Sequence, residues 1–324
     1  MLILSKEEIN QILDWSEAIE AIGQGFTALS AGKAAVPLRG AFEVPGKNAV
    51  LFTMPGFDGG EAVAIKIVSV FRDNPAKGLP LIYGLVTLLD GNSGQPLALF
   101  DGATVTAIRT GAASGVATKY LANPEAKVLA LFGAGVQSET QLLAIAAVRK
   151  LQEVRVYSRN QESATKFAER LGQQTGLNIL VSRSPTETLQ GAQIIATATT
   201  SSTPVFADGE VEPGAHINGV GSFTHEMREV PGETVARALV VVDAREGCMA
   251  EAGDILIPLN QGLFEASHIQ AELGEVVAGK HPGRSSLEQL TFFKSVGNAV
   301  QDVALASYLY QKAQSLGLGV RVEL

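Results

Sequence analysis

One short stretch restricts the possible folds more than any other: a glycine-rich turn set between an apolar run and an amphipathic one. Lys127-Val-Leu-Ala-Leu-Phe132 reads as a buried strand, Gly133-Ala-Gly135-Val-Gln-Ser138 as the turn, and Ser138 to Leu151 as a helix. The alternation continues to about Val296. Glu153 to Ser158 is strand-like, Glu162 to Gly172 helical, and Asn178 to Ser182 strand-like again. Ser184-Pro-Thr-Glu187 then combines an N-cap, a proline at the first helical position and a capping-box glutamate. Further strands are expected at Gln193 to Thr199, Ala215 to Gly219 and Ala238 to Asp243. Strands that alternate with helices build a mostly parallel sheet covered on both faces, which binds ligands at the carboxyl ends of its strands.

The expected fold class is therefore α/β, a Rossmann-type doubly wound parallel sheet. In such a turn the first glycine permits the tight bend, the second lets the backbone approach a pyrophosphate, and the helix N-terminus stabilises the phosphate charge. Ser138 stands where a third glycine or alanine is usual and is still small. An ordinary strand-to-helix turn that needs glycine for positive φ is the plain alternative. The next strand ends in Val156-Tyr-Ser158-Arg159-Asn160, where an NAD enzyme places an acid on the ribose 2′-hydroxyl. Glu153 lies at the wrong end of that strand, whereas a hydroxyl and a guanidinium suit a 2′-phosphate. NADP(H) is the expected cofactor, NAD(H) the second choice, and a solvated surface arginine the alternative that needs no ligand.

The first 115 or so residues read as a separate α+β unit. A leading helix from Lys6 to Ala31 precedes strands at Ala49 to Met54, Ala62 to Phe71 and Ile82 to Leu89. Ala103 to Leu121 has small and apolar residues at helical spacing and reads as the helix between domains; Asn298 to Leu316 is a last strong helix. Lys66 falls on the strand face shared by Ala64, Val68 and Val70, a costly place for a lysine without an anion. Arg109 shares a helical stripe with Val105, Ala112, Ala113 and Val116, and Arg39 follows Pro37-Leu38. These cations suggest a carboxylate-binding pocket, with snorkelling or internal salt bridges as the alternative. Lys66 is expected to be catalytic too, donating a proton or favouring a protonated iminium, with the substrate carboxylate as its anion.

Composition narrows the classes. With 46% hydrophobic and 18% charged residues the chain is globular, and a net charge of −8 argues against nucleic acid as a partner. A single cysteine, Cys248, forms no internal disulfide, and acids follow the first apolar residues where a secretory signal would continue, so the cytoplasm is expected. No apolar run approaches the ~20 residues of a membrane span. His216, His225, His268 and His281 lack metal-ligand spacing, so no metal is expected, and Gly-x-Ser-x-Gly is absent. His225 and Glu226, just past Gly219-Val-Gly221-Ser222, are further proton-donor candidates.

Taken in order, Ala64-Ile-Lys66-Ile-Val, Arg109-Thr-Gly-Ala-Ala-Ser, Phe132-Gly-Ala-Gly-Val-Gln-Ser138, Ile217-Asn-Gly-Val-Gly-Ser222 through Met227-Arg-Glu229, and Lys294-Ser-Val-Gly-Asn-Ala-Val-Gln-Asp302 resemble the ornithine cyclodeaminase/mu-crystallin family. The resemblance covers nearly the whole chain. It implies a homodimer, a substrate-binding and dimerisation domain made of residues 1–118 and 298–324, and a Rossmann domain spanning 119–297. It places Arg39, Lys66, Arg109 and Gly297 with the substrate. Gly133, Gly135, Val136, Gln137, Ser158, Arg159, Asn160, Thr199 and Val220 go with the cofactor. Family members include ornithine cyclodeaminases, alanine dehydrogenases, reductases of ketimines and cyclic imino acids, and a thyroid-hormone-binding crystallin. Cyclodeaminases, and the alanine dehydrogenase that resembles them, carry an aspartate where this chain reads Ser222-Phe223-Thr224-His225, so an amine-activating carboxylate is missing unless Glu226 or Glu229 replaces it. The expectation is an NADPH-dependent reductase of C=N bonds alpha to a carboxylate, acting on cyclic imino acids such as Δ1-pyrroline-2-carboxylate or Δ1-piperideine-2-carboxylate, or on ketimines of 2-oxo acids. Ornithine cyclodeaminase, alanine dehydrogenase and a crystallin-like NADPH-binding protein are the alternatives.

Overall fold

A capping box opens the first helix. In the computed structural model, which describes residues 1–323, Ser5 Oγ accepts the Glu8 N–H and the Glu8 carboxylate accepts the Ser5 N–H. Helix α1 (Lys6–Ile12) therefore starts directly after strand β1 (Leu2–Leu4). The single helix expected from Lys6 to Ala31 is broken. Leu13 is extended, and the Asp14 carboxylate accepts the N–H groups of Ser16 and Glu17 at 2.8 and 3.0 Å to start α2 (Trp15–Ser30). A short polar side chain that bonds its own backbone competes with helix continuation, which the apolar period does not reveal. Strands β2 (Gly40–Glu43), β3 (Ala49–Phe57), β4 (Ala62–Phe71), β5 (Ile82–Asp90) and β6 (Pro96–Asp101) follow.

Helix α3 (Gly102–Leu121) contains the division of the chain into two units, Met1–Arg109 with the segment from Asn298 onward, and Thr110–Gly297. Residues 110–118, assigned from sequence to the first domain, pack with the second. A Cβ at Gly111 would lie 2.5 Å from the Thr140 carbonyl oxygen, so the backbones approach closely there. The Gln141 side chain donates to the Thr110 carbonyl, and Asn218 Nδ2 donates to Thr118 Oγ1.

The second unit runs through β7 (Val128–Phe132), α4 (Val136–Val148), β8 (Glu153–Tyr157), α5 (Gln161–Thr175), β9 (Ile179–Val181), α6 (Pro185–Leu189) and β10 (Ile194–Thr197). It continues through β11 (His216–Gly219), α7 (Gly232–Arg237), β12 (Leu239–Val242), α8 (Arg245–Glu251), α9 (Gly253–Asn260), β13 (Ile269–Glu272), α10 (Leu273–Val277) and β14 (Thr291–Lys294). Among the described residues its strands form one sheet in the order β13-β12-β14-β11-β10-β7-β8-β9, with every pairing parallel. Strand alternation gives each face its own core. Leu129, Leu131, Val154, Val156, Ile194 and Ala196 pack with residues of α4 and α5, whereas Ala130, Phe132, Ile195, Ile217, Val240 and Phe292 pack with residues of α7 to α9. This is the expected doubly wound Rossmann-type sheet. Strand order reverses between β7 and β10, the switch point where such sheets bind ligands. Ser184 caps α6 as expected, but the Glu187 carboxylate takes the Arg183 N–H at 2.7 Å, so the expected capping box stays open.

The chain then returns to the first unit with α11 (Ala299–Leu316) and β15 (Val320–Arg321). Asn298 caps α11 in a box with Gln301, and Gly317 ends it in the left-handed region. Among the described residues the first sheet has the order β15-β1-β6-β5-β4-β3-β2, antiparallel apart from β1 against β6. Helix α11 packs against α2 and against β3 to β6. No described helix is long and apolar enough to cross a membrane.

Candidate active site

Lys66 lies in the middle of β4, paired laterally with Met54 of β3 and Val86 of β5, and it is 1% exposed. Its ammonium meets a carboxylate already present in the chain. Asp302, fully buried in the first turn of α11, has its two oxygens 2.8 and 3.0 Å from Lys66 Nζ. The Arg109 Nε is 3.5 Å from the same carboxylate, and Arg109 Nη1 donates to Gln301 Oε1. Arg39 is partly exposed over the Phe52 ring, 6.0 Å from its centroid. Burial, then the Arg109 charge, pull the Lys66 pKa down to about 8; Asp302 works against them and Arg39 adds to the lowering. The sequence reading left the anion to the substrate. Asp302 provides it instead, so the internal salt bridge and the cation cluster exist together.

At the end of β7, Gly133 adopts φ 111°, and a Cβ there would lie 2.6 Å from the Ala198 carbonyl oxygen. Gly135 caps α4 without a side-chain hydrogen bond, and a Cβ on it would meet no atom within 4 Å. Val136 projects outward, 68% exposed. Gln137 Oε1 and Ser138 Oγ are buried and make no hydrogen bond with the described residues. An open backbone, uncapped first-turn N–H groups and unpaired polar atoms fit a dinucleotide pyrophosphate. At the end of β8, Ser158 is half-buried and Arg159 exposed, and residues 158–160 include no acid; Glu153 pairs with Arg155 at the strand's other end. The Asn160 carboxamide accepts the Ser163 N–H at 3.0 Å, so that side chain is taken up in capping α5.

The remaining strand ends converge on Glu229, which is fully buried. Its carboxylate accepts from Thr197 Oγ1, Thr199 N, Gly221 N and Ser222 N at 3.0, 2.6, 2.7 and 3.1 Å, joining the ends of β10 and β11. Thr199 and Val220, both assigned to the cofactor from sequence, belong to the loops it joins. Asp254, also fully buried, accepts the Glu229 and Val230 N–H groups and pairs with Lys294 Nζ at 2.9 Å. Burial first, and the Asp254 charge second, push the Glu229 pKa up, while Lys294 and the N–H donors oppose them. Glu229 is therefore a loop-organising residue, not a replacement for the missing aspartate. Gly297, expected at the substrate, closes the second unit with φ 81° and donates its N–H to Asp243 Oδ2 at 2.8 Å.

The histidines have local roles. His216 bonds Thr291 and Asn218, and its pKa is driven down to about 3, mainly by burial and next by the Arg284 charge. His268 meets the Val235 carbonyl and His281 accepts the Gly283 N–H, whereas His225 and Glu226 are exposed. Sequence reasoning missed Gln301, Asp302, Asp254 and Lys294 as site residues. The signal available for Lys294 was a lysine beside Thr291-Phe-Phe, the same kind of misplaced charge that singled out Lys66.

The chain is 40% identical over 325 residues to Delta(1)-pyrroline-2-carboxylate reductase of Bacillus cereus, with full coverage of both proteins. Its fold matches the Thermococcus litoralis Delta(1)-pyrroline-2-carboxylate reductase solved with NADH and L-proline, at TM-score 0.94 and 42% identity over 99% of this chain and 100% of that one. An archaeal alanine dehydrogenase dimer with bound NAD matches at TM-score 0.92 and 32% identity, over 100% of this chain and 99% of that one. The ornithine cyclodeaminase/mu-crystallin family profile matches residues 1–317. The chain belongs to the ornithine cyclodeaminase/mu-crystallin family.

Proposed function

We propose that the chain is a nicotinamide-dependent reductase of C=N bonds alpha to a carboxylate, taking a cyclic imino acid of the Δ1-pyrroline-2-carboxylate kind to the L-amino acid. The observation that carries this reading is the buried ammonium of Lys66 grouped with arginines. Arg39, Lys66 and Arg109 bring three positive charges to the surroundings of Asp302. A substrate carboxylate is the anion that such a group of cations recognises. Of the two roles expected for Lys66 from sequence, proton donation during reduction is the one proposed. When bound, the dihydronicotinamide supplies the hydride for the imine carbon. Arg39 and Arg109 hold the carboxylate, and Lys66 Nζ gives the proton to nitrogen. Loss of NADPH absorbance on adding Δ1-pyrroline-2-carboxylate is the direct test, with ornithine and alanine assayed in the oxidative direction. Bound cofactor and no turnover with any of them would leave a binding protein.

The residues 1–109 unit, with α11, serves as the substrate and dimerisation domain, and the second unit as the cofactor domain. Two features support finer choices. Ser158 and Arg159 favour NADPH over NADH, and Arg159→Ala is expected to weaken NADPH about ten- to hundred-fold with little effect on NADH, since a lost charge-assisted bond is worth ~1.5–3 kcal/mol. A wild type that prefers NADH would overturn that choice. The face of the first sheet opposite Ala64 and Lys66 carries Phe42, Ile67, Tyr83 and Leu85, each more than 40% exposed. An apolar sheet face of this kind suits a second copy of the chain. Ile67→Lys with Leu85→Lys should yield monomers in sedimentation if that face is the dimer contact; an unchanged dimer would place the contact elsewhere.

A further inference from the structure

We propose that Asp302 is the positioning residue of imine reduction: from α11 it aims the Lys66 ammonium and keeps it charged as the proton donor to the substrate nitrogen. The inference rests on the reductase reading above. Two consecutive residues of one helix turn hold both buried cations, Gln301 through Arg109 Nη1 and Asp302 through Lys66 Nζ and Arg109 Nε. The paired positions on β3 and β5, Met54 and Val86, carry no charge. Among the charged groups with the largest effect on Lys66, Arg109 from α3 and Arg39 ahead of β2 disfavour the ammonium and Asp302 favours it.

Hydride from the reduced nicotinamide adds to the imine carbon, the C=N π pair moves to nitrogen, and nitrogen takes a proton from Lys66 Nζ. An N–H bond forms as the Nζ–H bond breaks; the cofactor loses two electrons and the imine gains them. Lys66 is left neutral beside Asp302, whose charge draws a proton back from solvent. Without that carboxylate the buried amine, with two arginine charges acting on it, loses its proton at a lower pH and has less to give near pH 8.

The test is the alkaline limb of kcat/KM for Δ1-pyrroline-2-carboxylate reduction, with isotope-edited NMR of labelled lysine as a readout independent of turnover. Wild-type activity should fall as pH rises through about 8, where Lys66 loses its proton. In Asp302→Asn the limb and the Lys66 titration should both move down by about one to two pH units, which at pH 8 lowers kcat about five- to fifty-fold with KM little changed. Asp302→Glu restores the charge and should return the limb to its wild-type place, which keeps the test open if the Asn variant does not fold. Added to Lys66→Met, Asp302→Asn should cost no further activity. A limb and titration that stay in place while activity falls at every pH would overturn the proposal, as would additive losses in the double variant. If the wild type reduces no imine, the reductase reading fails, yet the Lys66 titration in Asp302→Asn still decides whether Asp302 holds the ammonium's charge.

Discussion

Replacing Lys66 by methionine should leave a folded protein that binds NADPH but has lost about two to four orders of magnitude in kcat, the usual contribution of a positioned general acid. Methionine keeps the apolar stem between Met54 and Val86 and deletes the ammonium. The fold will register the change as well. Breaking a buried pair by removing one partner commonly costs about 3–5 kcal/mol, but two circumstances soften it here. Arg109 Nε remains 3.5 Å from Asp302, and the ammonium removed was itself disfavoured by burial. Because the folded pKa of Lys66 lies below that of the unfolded chain, the unfolded state binds more protons between about pH 8 and 10.5, and this group's contribution to stability rises with pH across that window. In Lys66→Met that rise should vanish from the Tm profile. Steady-state kinetics separate the roles: retained kcat with raised KM would reduce Lys66 to a carboxylate anchor, and unchanged kcat/KM would remove it from the reaction.

How much of this was legible in the sequence depends on the range of the interactions. The glycine turn at Gly133 and Gly135, the strand through Lys66 and the helix from Asn298 are set by local spacing, and they stand where the pattern put them. The strand end at Ser158 and Arg159 was legible for the same reason. The break at Asp14 was not, since one side-chain cap outweighs an apolar period that runs on unbroken. Strands β2 and β6 escaped because one is an exposed edge and the other begins at a proline. The partner of Lys66 lay beyond reach of pattern altogether. Asp302 is 236 residues away, and an acid in a first helical turn is ordinary enough to pass as a solvated end. Glu229 was seen only as a possible stand-in for an aspartate, whereas four hydrogen bonds from the ends of β10 and β11 make it the organiser of those loops. Misplaced lysines are readable from one sequence; the carboxylates that explain them need the fold.

The second large effect belongs to Lys294, and it should appear as stability. Lys294 and Asp254 are both wholly buried with Nζ and Oδ2 2.9 Å apart, and Glu229 lies beside them with a pKa raised by burial and by Asp254. In Lys294→Met two buried carboxylates share a site with no cation between them, so the pair will hold a proton that the unfolded chain would release. The Glu229 oxygens already accept four hydrogen bonds and Asp254 Oδ1 accepts the N–H groups of Glu229 and Val230 at 2.7 and 3.0 Å, so Asp254 Oδ2, which loses the Lys294 ammonium, is the oxygen left to carry that proton. A loss of about 3–5 kcal/mol is expected, a fall in Tm of roughly 6–20 °C for a unit of this size. The sign of the pH dependence follows from the raised pKa. The folded variant binds more protons than the unfolded chain, so its stability should fall as pH rises from the acid range toward neutrality, more steeply than in the wild type. Asp254→Asn added to Lys294→Met removes one charge while keeping an oxygen for the two N–H groups, and the double variant should melt above the single one. Because Glu229 joins the loops of Thr199 and Val220, cofactor affinity should fall in Lys294→Met and recover in the double variant. Equal melting temperatures for wild type, single and double variants would mean that the ion pair contributes nothing, and the loops would then be held by the N–H contacts of Glu229 alone.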